Sequence, residues 1–263
     1  DHMMQQGSYP VVYNHGVAQD TMHMGLLVGK NLGEEITPGR FVNLKAPGRP
    51  DLILRRPISV NNYDGETGIL ELVYQVKGQG TQALAGCREG ELVDALGPLG
   101  HGFTPKGERN IWLVGGGIGV APLRYLPLYY KTVRFSGIFG YRTKDCIYQQ
   151  DDLSASLAFA DFYTDDGSNG NQGFVTQGLI KRLESQPAPD AIYACGPVPM
   201  LRALKELILP TNIPCMVSME ERMGCGTGVC VACTCLIQKD GLETRKRVCT
   251  DGPVFDIEEV ALH

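Results

Sequence analysis

The sequence has no long hydrophobic run and no basic stripe, and each absence excludes a class of function. Its longest apolar stretches, such as those at residues 111–114 and 207–209, fall far short of the roughly 20 residues that span a bilayer, since none exceeds about five residues. Lysines and arginines form no run, and the formal net charge is −5, so the electrostatic footprint of a nucleic-acid-binding protein is missing. The N-terminus has no secretory apolar region. We therefore expect a cytoplasmic protein that binds neither membrane nor nucleic acid.

A cluster of histidines is also missing, whereas cysteine is plentiful and unevenly placed. Five of the nine cysteines fall between residues 225 and 249. Disulfides are rare in a reducing compartment, so this crowding indicates a metal site. Cys87, Cys146 and Cys215 are isolated among ordinary residues, where a thiol usually packs as a small apolar side chain.

The chain of 263 residues shows two different rhythms, which predict two domains and a small appendage. Up to about residue 103, short β-type runs at 39–44, 52–60, 68–76 and 91–96 are separated by turn residues, which is typical of an antiparallel barrel or sandwich. From residue 111, apolar strands alternate with helical patterns at 174–183 and 200–209, which predicts a parallel sheet with helices on both faces. The residues beyond 218 are too few to form their own core.

The strongest motif is a C-x4-C-x2-C spacing formed by Cys225, Cys230 and Cys233, followed by Cys249. This spacing matches that of plant-type [2Fe-2S] proteins, and the glycines between the first two cysteines let one loop wrap a cluster. A zinc site is the alternative, but two C-x2-C pairs would then be usual. Cys235 remains open as an alternative ligand to Cys233, because residues two apart share one side of an extended chain.

Two further motifs have the chemistry of nucleotide binding. Arg56 adjoins Pro57, Ile58 and Ser59 at the expected end of a strand, where it could clamp a pyrophosphate while the others contact a flat ring. A basic edge strand would explain the same residues. Gly80 and Thr81 would open a short helix whose N-terminus favours anions.

A glycine-rich turn follows the first strand of the second half. Gly115, Gly116, Gly117 and Gly119 lie between that strand and a predicted helix, so their N–H groups could hold a dinucleotide phosphate, although the spacing departs from the usual fingerprint. Asp165 and the Cys195-Gly196 pair follow later strands at the edge where ligands of such sheets bind. An ordinary turn also explains Asp165.

Taken in this order, the motifs resemble those of the ferredoxin reductase superfamily. The segment from Met219 to Cys233, with Arg247 to Phe255, is similar to the electron-transfer subunits of class 1B dihydroorotate dehydrogenase. That resemblance implies a flavin barrel at residues 4–104, an α/β NAD domain at 105–217 and a [2Fe-2S] domain at 218–263. It also implies a partner, the FMN-containing catalytic subunit that oxidises dihydroorotate to orotate in pyrimidine biosynthesis, in a heterotetramer of two plus two subunits.

The resemblance also assigns residues to each cofactor. It places FAD against Arg56, Pro57, Ile58, Ser59, Val73, Tyr74, Gln75, Gly80 and Thr81. It places NAD(H) against Gly115, Gly116, Gly117, Gly119, Asp165, Cys195 and Gly196. It makes Cys225, Cys230, Cys233 and Cys249 the iron ligands. Arg142 follows the second strand of the α/β half and could meet a 2′-phosphate, so the preference for NAD over NADP depends on the resemblance and on Asp165 and Asp166.

Electron counting leads to the same set of cofactors. A nicotinamide exchanges two electrons as a hydride, whereas such a cluster carries one, so a flavin is needed between them. No catalytic acid or base is expected in this chain. Two alternatives stay open: a related flavin–iron subunit that serves another redox partner, and a regulatory redox sensor. Cys225 argues against the first, because such relatives commonly carry Asp there, and the nicotinamide motifs argue against the second.

Overall fold

The N-terminal part of the chain is a closed antiparallel barrel. The computed structural model describes residues 5–262, without the side chains of residues 31, 33 and 34. The barrel strands are β1 (Gln5–Ala18), β2 (Thr21–Leu27), β3 (Phe41–Leu44), β4 (Arg56–Asp64), β5 (Ile69–Gln75) and β6 (Leu92–Leu99). They close in the order β1-β2-β5-β4-β3-β6, which leaves no unpaired sheet edge. A short helix, α1 (Gln79–Ala85), follows β5.

Strand β5 shows how the barrel side chains divide between two cores. Leu70, Leu72 and Tyr74 are buried in the barrel interior, as the two-residue period of a strand requires. Val73 points the opposite way and packs into the core of the second domain. The two domains therefore share a buried boundary along this strand.

The second domain is a parallel sheet flanked by helices. Its strands are β7 (Asn110–Gly116), β8 (Arg134–Tyr141), β9 (Ala160–Thr164), β10 (Asn171–Gln172), β11 (Ala191–Cys195) and β12 (Cys215–Ser218). Neighbours follow the order β10-β9-β8-β7-β11-β12, so the chain order reverses between β7 and β11. In open sheets of this kind, ligands bind at the carboxyl ends of the strands beside such a reversal.

Alternating residues of β7 supply the two faces of this sheet. Trp112 and Val114 pack toward α4 (Val175–Ser185) and α5 (Val198–Ile208), whereas Ile111 and Leu113 pack toward α2 (Tyr125–Tyr129) and α3 (Gln150–Ser156). The predicted layer of helices on both faces is therefore confirmed. Within residues 5–262, no helix combines the length and the apolar character needed to cross a membrane.

The C-terminal segment is fastened to this sheet. A cysteine-rich loop leads into the hairpin of β13 (Thr234–Lys239) and β14 (Leu242–Arg247), and β15 (Val254–Asp256) then pairs antiparallel with β12. The cysteines Cys233, Cys235 and Cys249 are buried in the core that also covers one face of the sheet. The outer limits of the predicted domains, Met4 and His263, lie outside the described residues, and the inner boundaries stay predictions.

Two local expectations were wrong. The strand expected over residues 52–60 begins only at Arg56, so the Arg56–Ser59 motif opens β4 and does not end a strand. The preceding residues form turns in which the Arg49 side chain pairs with Asp51. The glycine turn after β7 continues into a 3-10 helix, Gly117–Leu123, in place of the expected α-helix. Pro122 inside it has no N–H group for an α-helical hydrogen bond.

Candidate cofactor sites

A groove of about 470 Å3 lies where the barrel, the parallel sheet and the cysteine-rich segment meet. A volume of this size is within the usual range for sites that hold small molecules and cofactors. Eight of the nine residues predicted to contact flavin line it, namely Arg56, Pro57, Ile58, Ser59, Val73, Tyr74, Gln75 and Thr81. The structure thus brings together two sequence segments, at the start of β4 and at the end of β5 with α1.

Gly80, the ninth predicted residue, lies directly beneath Arg56. A Cβ atom at Gly80 would collide with the Arg56 guanidinium, so only glycine lets this side chain lie across the start of α1. The guanidinium donates a hydrogen bond to the carbonyl oxygen of Leu54. The Thr81 hydroxyl accepts hydrogen bonds from the backbone N–H groups of Lys77 (2.9 Å) and Gly78 (3.1 Å), which fixes the turn before α1.

The groove also has walls that the motif analysis did not identify. Phe41 and Lys77 line it from the barrel, and residues 218–223 line it from the segment after β12. Glu220 and Glu221 are the acidic residues of this wall. Burial raises the pKa of the Glu220 carboxyl, and Lys77 partly offsets that effect. Residues 219–223 were used only for the resemblance, and nothing in their local pattern indicates that they border a groove.

The predicted nicotinamide residues meet at the sheet reversal. Gly115 at the end of β7 is paired with Cys195 at the end of β11. A Cβ atom at Gly119 would lie 2.5 Å from the Cys195 carbonyl oxygen, so the glycine turn is packed against the end of β11. Cys195 is 1% exposed, and burial raises the pKa of its thiol, which keeps it neutral.

The glycine turn borders the groove, and a tyrosine hydroxyl hydrogen-bonds to two of its backbone carbonyl oxygens. Ile118 and Ala121 line the groove, so the two predicted cofactor sites adjoin. The buried Tyr148 hydroxyl hydrogen-bonds to the carbonyl oxygens of Gly117 (3.1 Å) and Ile118 (3.2 Å). Tyr148 could not be predicted from the motifs, since it lies about 30 positions away and carries no motif of its own.

Gly116 and Gly196 form the close contact between the turn and α5. A Cβ atom on either glycine would meet the Met200 side chain. Asp165 lies elsewhere on this edge: it follows β9, it is exposed, and its backbone N–H donates to the Tyr141 carbonyl oxygen at 3.1 Å. Strand β8 separates β9 from β7, so Asp165 shares the sheet edge with the glycine turn but follows a strand that is not adjacent to β7.

The four predicted iron ligands form two pairs. The backbone N–H of Cys225 donates to the sulfur of Cys230, and that of Cys230 donates to the sulfur of Cys225, both at 3.3 Å. Burial opposes ionisation of Cys225, but hydrogen bonds from Thr227 and Cys230 outweigh it and lower the pKa to about 6. The second pair is Cys233 with Cys249, whose pKa is raised to about 11 by burial and by the neighbouring thiol.

Cys235 differs from these four in its surroundings. It lies within β13, opposite Lys246, and its side chain is buried in the apolar core. Burial raises the pKa of its thiol to about 11. Among residues 5–262, no three histidine, cysteine or acidic side chains are close enough to hold a single metal ion.

An arginine fixes the loop between the first two cysteines. Arg247, the last residue of β14, pairs with Asp251 through two nitrogens at 3.2 Å and donates to the carbonyl oxygen of Gly228. Gly226 and Gly228 have φ angles of +74° and +83°, which other residues rarely adopt. The loop conformation therefore depends on the glycines that the spacing motif contains.

Comparisons with known proteins match two of these regions to described families. Residues 220–261 match the iron-sulfur cluster binding domain of dihydroorotate dehydrogenase B, and residues 113–206 match the oxidoreductase NAD-binding domain. The electron transfer subunits of dihydroorotate dehydrogenase B (NAD(+)) from strains of Bacillus cereus and Bacillus anthracis are 41% identical to this chain, over 99% of it and 100% of their own length. The chain belongs to the family of dihydroorotate dehydrogenase B electron transfer subunits.

Solved structures extend the likeness to the whole fold. An NADH-dependent reduced ferredoxin-NADP oxidoreductase superimposes with a TM-score of 0.86 and 29% identity, over 97% of this chain and 90% of that chain. An Amycolatopsis cytochrome P450 reductase superimposes with a TM-score of 0.64 and 22% identity, over 81% and 68%, which shows the fold alone. The predicted order of barrel, α/β domain and iron-sulfur segment in this dihydroorotate dehydrogenase B family member is confirmed.

Proposed function

We propose that the chain transfers electrons between NAD(H) and the FMN of a dihydroorotate dehydrogenase catalytic subunit, through FAD in the groove and a [2Fe-2S] cluster. The observation that carries this proposal is the composition of the groove walls. Barrel residues form one side, Ile118 of the glycine turn forms another, and Met223 and Pro253 of the cysteine-rich segment form a third. A ring bound there would adjoin both of its redox partners.

The groove residues suit a dinucleotide flavin. Arg56 supplies a positive charge beside Gly80 and Thr81, where a pyrophosphate would be held by charge-assisted hydrogen bonds. Pro57, Ile58 and Tyr74 supply apolar surface for a flat ring. Bound flavin accepts a hydride and releases electrons one at a time; the protein groups only need to bind and orient it.

The edge of the parallel sheet suits NAD(H). The turn from Gly115 to Gly119 presents backbone N–H groups at the sheet reversal, and its packing against Cys195 leaves no room for a side chain at Gly119. Asp165 beside the edge favours a ribose with free hydroxyls over a 2′-phosphate, because a carboxylate repels phosphate. These features support NAD over NADP, as the names of the Bacillus relatives also do.

The pairing of the four cysteines supports a two-iron cluster over zinc. Zinc would draw all four thiolates around one ion, whereas each iron of a [2Fe-2S] cluster takes two. Cys225 with Cys230 and Cys233 with Cys249 form two such pairs. The lowered pKa of Cys225 also suits a ligand, since the thiolate is the form that binds metal.

A partner surface surrounds the first pair of cysteines. Val229 and Val231 are 81% and 58% exposed, and they flank Cys230, which is itself exposed. Exposed apolar side chains beside a redox centre favour docking of another protein. We infer that the catalytic subunit covers this tip, in a heterotetramer of two plus two subunits.

The deciding experiment is co-expression with a dihydroorotate dehydrogenase catalytic subunit. The purified complex should reduce orotate with NADH, and the isolated chain should reduce an artificial dye with NADH but have no activity on orotate. Dye reduction without copurification of the catalytic subunit would favour another redox partner. Failure of NADH to reduce the isolated chain would favour the redox sensor.

A further inference from the structure

Asn43, on barrel strand β3, is a buried amide without any hydrogen bond from its side chain. Its exposure is 0%, and neither the amide nitrogen nor the amide oxygen has a partner among residues 5–262. An unpaired buried amide destabilises the folded state, so native structures rarely leave one without a hydrogen-bonding partner. Asn61, the other fully buried barrel asparagine, donates to the Ala121 carbonyl oxygen at 3.0 Å and accepts from Gln149 at 2.9 Å.

The unpaired amide of Asn43 faces the cysteine-rich loop. A Cβ atom at Gly226 would lie 2.6 Å from the amide nitrogen of Asn43, so the amide packs against the backbone directly after Cys225. Gly226 is buried there, and the apolar side chain of Leu99 also lies next to it. An acceptor atom of the loop would satisfy the N–H donor at this position, and an anionic acceptor would form the stronger, charge-assisted hydrogen bond.

Strand β3 also touches the flavin groove. Phe41, two residues earlier and on the same side of the strand, lines the groove, and the backbone of Asn43 is paired with Pro57, another groove residue. The strand is therefore the wall between the two proposed cofactor sites. A group on it can act on the cluster while belonging to the flavin barrel.

We propose that the Asn43 amide donates a hydrogen bond to an anionic sulfur of the iron-sulfur site, a cysteine thiolate or a bridging sulfide, and raises its reduction potential. This inference rests on the proposed [2Fe-2S] site. A reduced cluster carries one more negative charge than an oxidised one, so a donor stabilises the reduced form more strongly. The barrel thus sets how readily the cluster accepts an electron from its own flavin.

A direct test uses the absence of asparagine from residues 213–263. Protein labelled with 15N only at asparagine carries no label in the cysteine-rich segment, so any 15N hyperfine coupling of the reduced cluster must come from elsewhere in the chain. Pulsed EPR of the labelled, cluster-loaded wild-type chain should show such a coupling, and Asn43→Leu should abolish it. A wild-type spectrum without 15N coupling would overturn the inference and would indicate that the amide hydrogen-bonds to a bound water.

The second measurement is the midpoint potential of the cluster. In Asn43→Leu the equilibrium constant for one-electron reduction should fall roughly tenfold, equal to about 59 mV for one electron. Asn61→Leu is the matched control, because it also removes a buried barrel amide but one that is paired away from the cluster, and it should leave the potential unchanged. An unchanged potential in Asn43→Leu, or an equal shift in both variants, would contradict the inference.

These outcomes separate the inference from the proposed function. Absence of a [2Fe-2S] EPR signal from the wild-type chain would contradict the proposal of the cluster itself. A normal signal without the asparagine coupling would leave the cluster in place and reject only the role of Asn43.

Discussion

At the scale of single residues, we expect flavin binding to depend most on Arg56. Its guanidinium lies across Gly80 at the start of α1 and borders the groove. We predict that Arg56→Ala weakens FAD binding by about 2 kcal/mol, roughly 30-fold, because a charge-assisted contact to the pyrophosphate is lost. The ratio of flavin absorbance to protein after purification and dialysis measures this loss.

Arg55→Ala is the matched control for that experiment. The neighbouring Arg55 guanidinium pairs with Asp94 at 2.9 Å and does not line the groove. The Arg55→Ala variant should therefore retain flavin. Full FAD occupancy in Arg56→Ala, or equal depletion in both variants, would be incompatible with the assigned role of Arg56.

The cysteines Cys233 and Cys235 provide a second comparison at this scale. Cys233 interacts with Cys249, whereas Cys235 is an apolar core residue of β13. We predict that Cys233→Ser abolishes or strongly distorts the visible and EPR spectra of the cluster, and that Cys235→Ser preserves both. The reverse pattern would exchange the two residues in the ligand assignment.

Loss of the cluster should abolish one activity of the chain and preserve another. NADH should still reduce flavin in Cys233→Ser, because we expect hydride transfer to take place at the groove and to precede the one-electron step. Orotate-linked turnover with the catalytic subunit should collapse. Persistent orotate turnover in a chain without its cluster would show that electrons follow another path.

At the scale of elements, the contact between the glycine turn and the end of β11 shapes the nicotinamide site. A side chain at Gly119 would press on the Cys195 carbonyl, whereas Gly117, with a φ angle of +54°, faces open space. We predict that Gly119→Ala raises the KM for NADH by about tenfold or more, since one displaced turn loses several phosphate contacts. Steady-state dye reduction measures this change.

Gly117→Ala tests whether the close contact or the glycine itself matters. It adds backbone strain of roughly 1 kcal/mol but meets no neighbour, so its KM should rise less than that of Gly119→Ala. A larger substitution, Gly117→Val, should raise the KM more than Gly117→Ala does, because the valine side chain would occupy the space expected for the phosphates. Flavin and cluster content should stay unchanged in all three variants. An unaltered KM in all of them would show that NADH does not bind at this turn.

At the scale of the whole molecule, the loop tip around Cys230 is where the chain should meet its catalytic partner. Val229→Asp places a charge in this apolar surface, and we predict at least tenfold weaker association, because a buried carboxylate must be desolvated. Titration of the catalytic subunit against the variant by calorimetry measures the affinity. NADH-dependent dye reduction should be unaffected, since the groove is unchanged.

Leu242→Asp serves as the matched control for this surface. Leu242 is 69% exposed at the start of β14, near the turn of the hairpin, and lies outside the cysteine loop. It should bind the catalytic subunit normally. Equal weakening of binding in both variants, or no weakening in Val229→Asp, would show that the partner surface lies away from the cluster.

The kinds of elements and the chemistry of each motif follow from the sequence alone. The period-two runs, the alternation of strands and helices, and the C-x4-C-x2-C spacing are local properties, and neighbours along the chain fix them. For that reason the barrel, the parallel sheet and the cysteine-rich segment were predictable, and the whole order of motifs was enough for the family resemblance.

Which distant residues share a site depends on the packing of the folded chain. Asn43 faces Gly226, Tyr148 supports Gly117, and residues 218–223 close the flavin groove, all across separations that no local pattern records. The start of β4 at Arg56 was likewise set by the turns before it, and the C-terminal segment joined the sheet through β15. Such contacts depend on how whole elements pack, since packing brings together side chains whose own neighbours in sequence carry no sign of the meeting.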